Sequence, residues 1–168
     1  MVNNAPDMGA KFIEFTVTGE EAMVELGISI GSSIVTPVLI TLLGDLGAGK
    51  TTLAKGIIAG QGVDEVVTSP TFIIQREYEG NLPIRHLDLY RFSGARSLDL
   101  MDIDLFDDGT LRLVEWPNAV DFIIEADIQI EVDSIMDGEA RFIHLSIAPH
   151  VDHRIFEKLS TFANRSQS

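Results

Sequence analysis

Lys50 and Thr51 close a run, Gly44-Asp45-Leu46-Gly47-Ala48-Gly49-Lys50-Thr51-Thr52, that satisfies G-x-x-x-x-G-K-[ST], the pattern of a phosphate-binding P-loop. Glycines lack Cβ atoms, so the backbone can curl tightly and turn successive N–H groups inward onto an anion of the triphosphate type. On this reading Lys50 reaches the β- and γ-phosphates, and the Thr51 hydroxyl ligates the Mg²⁺ that accompanies them. Holding phosphate is not yet chemistry on it. Hydrolysis or transfer also needs a carboxylate for the metal or the water, and a group that senses the γ-phosphate.

Three later stretches offer these groups. Ile84-Arg85-His86-Leu87-Asp88 reads as a strand ending in an acid, the place of a Walker-B aspartate that binds the metal or its water shell. Leu111-Arg112-Leu113-Val114-Glu115 repeats the pattern. Thr68-Ser69-Pro70-Thr71 follows the P-loop threonine at about the distance at which switch proteins place a threonine against Mg²⁺ and γ-phosphate, so Thr71 is a candidate sensor. Plainer readings stand beside these: an acid ending a strand is often a solvated turn residue, and Ser69-Pro70-Thr71 can simply turn the chain and cap the next element.

The elements that must position these groups follow from patterning. The apolar run before the loop, residues 38–43, reads as a buried strand, and the residues from Thr51 to about 58 have helical composition, which supplies the strand, loop and helix that a P-loop requires. Residues 11–18 alternate Phe12, Glu14 and Thr16 against Ile13, Phe15 and Val17, predicting a strand. Thr18 then reads as a helix N-cap, with Glu20 and Glu21 in the first turn and Gly31 as the stop. Residues 72–78 and 84–90 predict an antiparallel pair around Glu79-Gly80-Asn81. Residues 97–106 predict a helix with Leu98, Met101 and Leu105 on one face, and Pro117 opens a short helix over 117–124. A hairpin over 128–132 and 141–147, turning at Asp137-Gly138, and an amphipathic helix carrying Ile155, Phe156, Leu159 and Phe162 complete the chain. Alternating strands and helices with some hairpins predict an α/β domain with a mixed sheet flanked by helices. In an open α/β sheet ligands collect at the carboxyl ends of the strands, so Asp88, Glu115 and the P-loop converge if their strands run parallel.

Composition narrows the classes. The chain of 168 residues suits one domain, over residues 11–164, with a loose N-terminal segment over 1–10 and a short tail over 165–168. Twenty-six Asp and Glu against 12 Lys and Arg, a formal net charge of −14, argue against nonspecific attraction to nucleic acid or anionic membranes. No cysteine is present, which removes disulfides, thiolate metal sites and cysteine nucleophiles. Residues 1–10 lack the basic start and apolar core of a signal peptide, and the longest apolar run is too short to span a bilayer. Asp99, Asp102, Asp104, Asp107 and Asp108 resemble a calcium loop, but Phe106 falls where a ligand is needed and no Glu closes the pattern. They read as a solvated acidic surface. His86 lies in the candidate Walker-B strand and could orient a carboxylate, whereas His144, His150 and His153 have no ligand-like neighbours in sequence. Trp116, beside Glu115, suits stacking or packing, and Arg91 and Arg96 suit phosphate or the local aspartates.

With these residues aligned, the sequence resembles the TsaE (YjeE) family of bacterial P-loop ATPases, which act in making the threonylcarbamoyl modification of adenosine in tRNA. The resemblance rests on residues 44–52, on Ser69-Pro70-Thr71-Phe72 with Glu77-Tyr78, on His86-Leu87-Asp88-Leu89-Tyr90-Arg91 and on Glu115-Trp116-Pro117. It implies a P-loop NTPase fold and a cytoplasmic, Mg²⁺-dependent ATPase that serves a TsaB–TsaD complex and meets tRNA only through it. It also implies that Thr51, Asp88 and Glu115 are metal and catalytic positions beside Lys50. The absence of a guanine-reading N-K-x-D sequence favours ATP over GTP. Two other functions fit a P-loop of this size: a small-molecule kinase, which would need an arginine-bearing lid that the sequence does not offer, and a nucleotide-dependent binding module whose hydrolysis is incidental.

Overall fold

The computed structural model describes residues 9–65, 75–92, 109–135 and 138–166. Seven strands form one mixed sheet: β1 (Lys11–Thr18), β2 (Leu39–Leu43), β3 (Gln75–Glu79), β4 (Pro83–Asp88), β5 (Leu111–Glu115), β6 (Ile128–Ser134) and β7 (Ala140–Ile147), in the order β1-β7-β6-β2-β5-β4-β3. The central strands β6, β2, β5 and β4 are parallel, while β1 and β7 at one side and β3 at the other pair antiparallel. A parallel centre must be covered, and every residue of β2 and β5 except Leu43 is accordingly buried, the charged Arg112 and Glu115 of β5 included. β1 instead buries Ile13, Phe15 and Val17 and turns Phe12 and Glu14 outward, as its alternation predicts.

Three helices complete the domain: α1 (Gly19–Gly31), α2 (Lys50–Gly60) and α3 (His153–Ser166). Their apolar residues, among them Leu26, Ile30, Leu53, Ile57, Ile155 and Leu159, join the buried residues of the sheet in one core. Phe15 of β1 meets Phe162 of α3 edge-on at 6.0 Å between ring centroids. Thr18 occupies the N-cap of α1 in extended backbone, although its side chain makes no capping bond, and Gly31 ends the helix as predicted.

α1 and α2 lie unusually close, because each carries glycines four residues apart, Gly27 and Gly31 on α1 and Gly56 and Gly60 on α2. A Cβ at Gly27 would come within 2.6 Å of the Leu53 carbonyl oxygen, and one at Gly31 would collide with that of Ile57. From the other side, Cβ atoms at Gly56 and Gly60 would come within 2.5 Å of the Val24 and Ile28 carbonyl oxygens. Buried Gln61, just past α2, then ties the far end together. Its Nε2 donates to the Gly31 and Ile34 carbonyls at 2.6 and 2.9 Å, and its Oε1 accepts from Leu82 N at 3.1 Å.

Two expectations are corrected. The helix over 117–124 is a single 3₁₀ turn, Pro117–Ala119, followed by bends at 120–122 and chain without regular structure. Val120, Phe122 and Ile124 repeat every second residue rather than at helical spacing, and all three pack on a second cluster of Leu87, Leu89 and Val114. The strand expected to reach residue 90 stops at Asp88, and Tyr90–Phe92 forms another 3₁₀ turn. The expected strand start at 72–74, the helix over 97–106, its aspartates and Arg96, and the first eight residues lie outside the described residues.

The close helix contact yields a prediction. Gly27→Ala and Gly31→Ala should each lower stability by about 1–3 kcal/mol through overpacking, outweighing the helix propensity that alanine adds. Thermal unfolding should register this as a fall in Tm of roughly 2–10 °C. A rise in Tm for both variants would show that the helices do not pack through these glycines.

Candidate functional site

The P-loop leaves the carboxyl end of β2 and enters α2 through three glycines in left-handed backbone, Gly44 (φ 134°), Gly47 (φ 79°) and Gly49 (φ 106°). These are conformations that L side chains rarely adopt. At Gly44 a side chain is excluded twice over, since a Cβ there would collide with the Val132 carbonyl oxygen of β6. Lys50 is the first residue of α2, so the orphan N–H groups of the first turn and the positive end of the helix dipole lie at the loop. Arg141 of β7 braces the loop from outside, its Nε donating to the Ala48 carbonyl at 2.7 Å.

Parallel pairing brings the two candidate acids to this same edge. Asp88 ends β4 and Glu115 ends β5, directly opposite each other in register, and Glu115 is also opposite Leu42 of β2. Glu115 is 2% exposed. Its Oε2 accepts from the Thr51 hydroxyl at 3.0 Å, and its Oε1 lies 2.8 Å from His86 Nε2. Asp88 Oδ1 accepts from Tyr90 N at 3.0 Å. Burial raises the Asp88 carboxyl above its ordinary value, and the neighbouring Glu115 adds to this, against the lowering effect of the Tyr90 N–H.

Lys50 is buried, and its ammonium is held within the site. Nζ donates to the Gly44 and Asp45 carbonyls at 2.6 and 2.8 Å and sits 3.8 Å from the centroid of the Trp116 ring. Burial lowers the Lys50 amine below its usual value, while Glu115, Asp88 and Asp45 pull it back up. Trp116 is the only non-glycine among the described residues with positive φ, at 58°. That left-handed turn immediately after Glu115 carries the indole over Lys50 and against Tyr90, 5.0 Å away between centroids.

On its other flank the loop borders a cavity of about 550 Å³, within the size range of small-molecule sites. Glu20 and Met23 of α1, Gly47 and Ala48 of the loop, and Glu139 and Arg141 of the β6–β7 hairpin line it. None of these hairpin residues carries a sequence motif. Their place here depends on pairing between distant strands, and no sequence signal marks it.

Of the residues singled out from sequence, the structure thus gathers the loop over 44–52, Lys50, Thr51, Glu115, His86 and Trp116 at one edge, with Asp88 alongside. Thr71 lies outside the described residues. Arg91 lies in the 3₁₀ turn after β4. The other histidines each pair with one carboxylate: His144 with Glu14 at 2.7 Å and His150 with Asp127 at 2.6 Å, both distant in sequence, and His153 with the adjacent Asp152 at 3.7 Å. No group of three or more His, Cys, Asp or Glu side chains among the described residues forms a metal cage. A hydroxyl and carboxylates, hard oxygen donors beside a phosphate loop, instead suit Mg²⁺, which is usually held by one or two carboxylates plus substrate phosphates.

Comparison with known proteins agrees with this arrangement. The family model of threonylcarbamoyl adenosine biosynthesis protein TsaE matches residues 17–142, extending past the last sequence motif into β7. The chain is 38% identical over 130 residues to the tRNA threonylcarbamoyladenosine biosynthesis protein TsaE of Haemophilus influenzae, covering 76% of this chain and 79% of that one. It is 36% identical over 130 residues to the protein of the same name from Bacillus subtilis, covering 76% and 81%. The crystal structure of Bacillus subtilis YdiB superposes with a TM-score of 0.70 at 26% identity, over 93% of this chain and 97% of that one. Fold, P-loop and sequence match together assign the chain to the TsaE family of α/β P-loop proteins.

Proposed function

We propose that the protein is a Mg²⁺-dependent ATPase of tRNA threonylcarbamoyladenosine biosynthesis, acting in the cytoplasm on a TsaB–TsaD complex. The observation that carries this reading is the hydrogen bond from the P-loop Thr51 hydroxyl to the buried Glu115 carboxylate at 3.0 Å. It places two oxygen donors beside the phosphate loop, at the strand ends where α/β sheets bind ligands. Bound Mg²⁺ would supply charge neutralisation for the β- and γ-phosphate oxygens. Thr51 and Glu115 would hold it, and Asp88 would supply the second carboxylate, to the cation's water shell or to the attacking water.

Lys50 changes partners in this scheme. Neutral carbonyls of Gly44 and Asp45 hold its ammonium, and anionic phosphate oxygens form the stronger, charge-assisted bonds. Thr71 remains the candidate γ-phosphate sensor. The cavity between α1, the loop and the β6–β7 hairpin accommodates the nucleoside end. The net charge of −14 argues that tRNA is reached through the partner complex rather than held by this chain. Leu46, 79% exposed at the tip of the loop, puts an apolar contact at the nucleotide edge, where a partner could sense occupancy.

The test is tRNA modification reconstituted with TsaB and TsaD. Lys50→Ala and Glu115→Ala should each lower ATP-dependent modification by roughly 10²-fold or more. Full modification by Glu115→Ala protein that binds ATP without hydrolysing it would favour the binding-module reading, and phosphate transferred to a metabolite would favour the kinase.

Trp116 is the sole tryptophan and lies against the Lys50 ammonium, so its emission should change when Mg·ATP draws Lys50 onto phosphate. Titration should show a saturable change that Lys50→Ala abolishes; an unresponsive wild-type protein would mean that Lys50 does not move.

Asp88 gives a pH signature. Its carboxyl titrates above the ordinary value of 3.8, so ionising it destabilises the folded protein as pH rises through that window. Asp88→Asn should therefore be more stable than the wild type at neutral pH while losing hydrolysis, and the stability gain should shrink as pH falls toward 3.8 and below. A gain independent of pH would contradict this.

A further inference from the structure

Facing α2 from β4, two residues before Asp88, His86 is completely buried in a sheet whose neighbouring inward residues include Ile84, Leu111 and Leu113. An imidazole there is costly unless its polar atoms are bonded, and an aliphatic side chain would fill the space without that cost. Only one of its nitrogens is bonded: Nε2 lies 2.8 Å from Glu115 Oε1, while Nδ1 is buried with no hydrogen-bond partner among the described residues. The half-satisfied ring thus has one polar task, and it is directed at Glu115.

We propose that His86 is the positioning residue of the site: a fixed Nε2–H donor that occupies Oε1 of Glu115 and so aims Oε2 at Thr51 and at a cation beside it. Two arguments fix the proton on Nε2. A carboxylate oxygen can only accept, so the nitrogen facing it must donate. A proton on Nδ1 would instead be a buried donor without an acceptor among the described residues, and orphaned N–H groups are rare. With Oε1 bonded to His86, turning the carboxylate to offer both oxygens to one cation would strain or break that bond, and Oε2 keeps the Thr51 hydroxyl at 3.0 Å. The arrangement resembles outer-shell pairs at metal sites, in which a second residue sets the orientation of a ligand. The link to the cation rests on the ATPase reading above, whereas the His86–Glu115 bond and its proton stand apart from it.

Two measurements separate these parts. Long-range ¹⁵N–¹H correlation spectra of the protein without nucleotide should show the His86 ring protonated at Nε2 and bare at Nδ1. A bare Nε2, with the ring proton on Nδ1 instead, would overturn the proposal whatever the protein hydrolyses. Next, Mg²⁺ titration of ATP-analogue binding, followed by Trp116 emission, compares His86→Leu, which keeps the volume and removes the donor, with His86→Gln, whose amide can return a donor near Nε2. His86→Leu should raise the Mg²⁺ concentration for half-saturation by about 10–100-fold, leave Mg²⁺-free nucleotide binding within about twofold, and be largely rescued in His86→Gln. Unchanged Mg²⁺ dependence in folded His86→Leu, or equal impairment in both variants, would reject a positioning role. If wild-type protein shows no Mg²⁺-dependent binding, the ATPase reading fails, and the ring spectrum alone decides whether His86 donates to Glu115.

Discussion

Everything at the candidate site hangs on where the Glu115 carboxylate is held. Removed from solvent at the end of the central strand β5, it must find donors, because a buried charge left without partners costs several kcal/mol. Thr51 supplies one from the P-loop helix and His86 supplies the other from the adjacent strand, so a single side chain joins β4, β5 and α2. The parallel register that sets Asp88 opposite Glu115 extends the same edge by a second acid, whose raised pKa reflects the same burial. The chemistry available at this edge is therefore that of oxygen donors grouped beside a loop built to receive phosphate.

Such a group is useful only if the loop is stationary relative to the strands, and the fold secures it from several directions. Gly44 packs against the β6 backbone where no side chain would fit, Arg141 of β7 holds the Ala48 carbonyl, and α2 is set close against α1 by facing glycines. Gln61 then anchors the far end of α2 to the end of α1 and to the β3–β4 turn. By contrast Lys50 is held by bonds that an anion can exchange, two backbone carbonyls and an aromatic face. A rigid frame with one exchangeable ammonium suits a site whose response to a bound anion is local.

Much of this was legible in the sequence, and the part that was not has physical reasons. The P-loop with its strand and helix and the two strands ending in Asp88 and Glu115 follow from local pattern, whereas the His86–Glu115 pair joins residues 29 positions apart and depends on the parallel pairing of β4 with β5. That the acids meet the loop required parallel strands, which pattern alone leaves conditional and the sheet order settles. The segment over 117–124 misled because Pro117 is a good helix start, while the period-two spacing of Val120, Phe122 and Ile124 carried the truer signal. The glycine spacing in α1 and α2 was present in the sequence as two four-residue repeats. The Arg141 brace and the cavity wall at Glu139 had no such signal, since they arise from residues almost a hundred positions from the loop brought back by β6 and β7.

Thr51 and Glu115 are proposed to form one cation site at the P-loop. Its most direct test is a crystal structure of the protein with Mg²⁺ and a non-hydrolysable ATP analogue. The cation should be bound by Thr51 Oγ1 and Glu115 Oε2 together with phosphate oxygens, with Lys50 Nζ moved from the Gly44 and Asp45 carbonyls onto phosphate. A nucleotide bound with its cation away from both side chains, or with Lys50 still on those carbonyls, would contradict it.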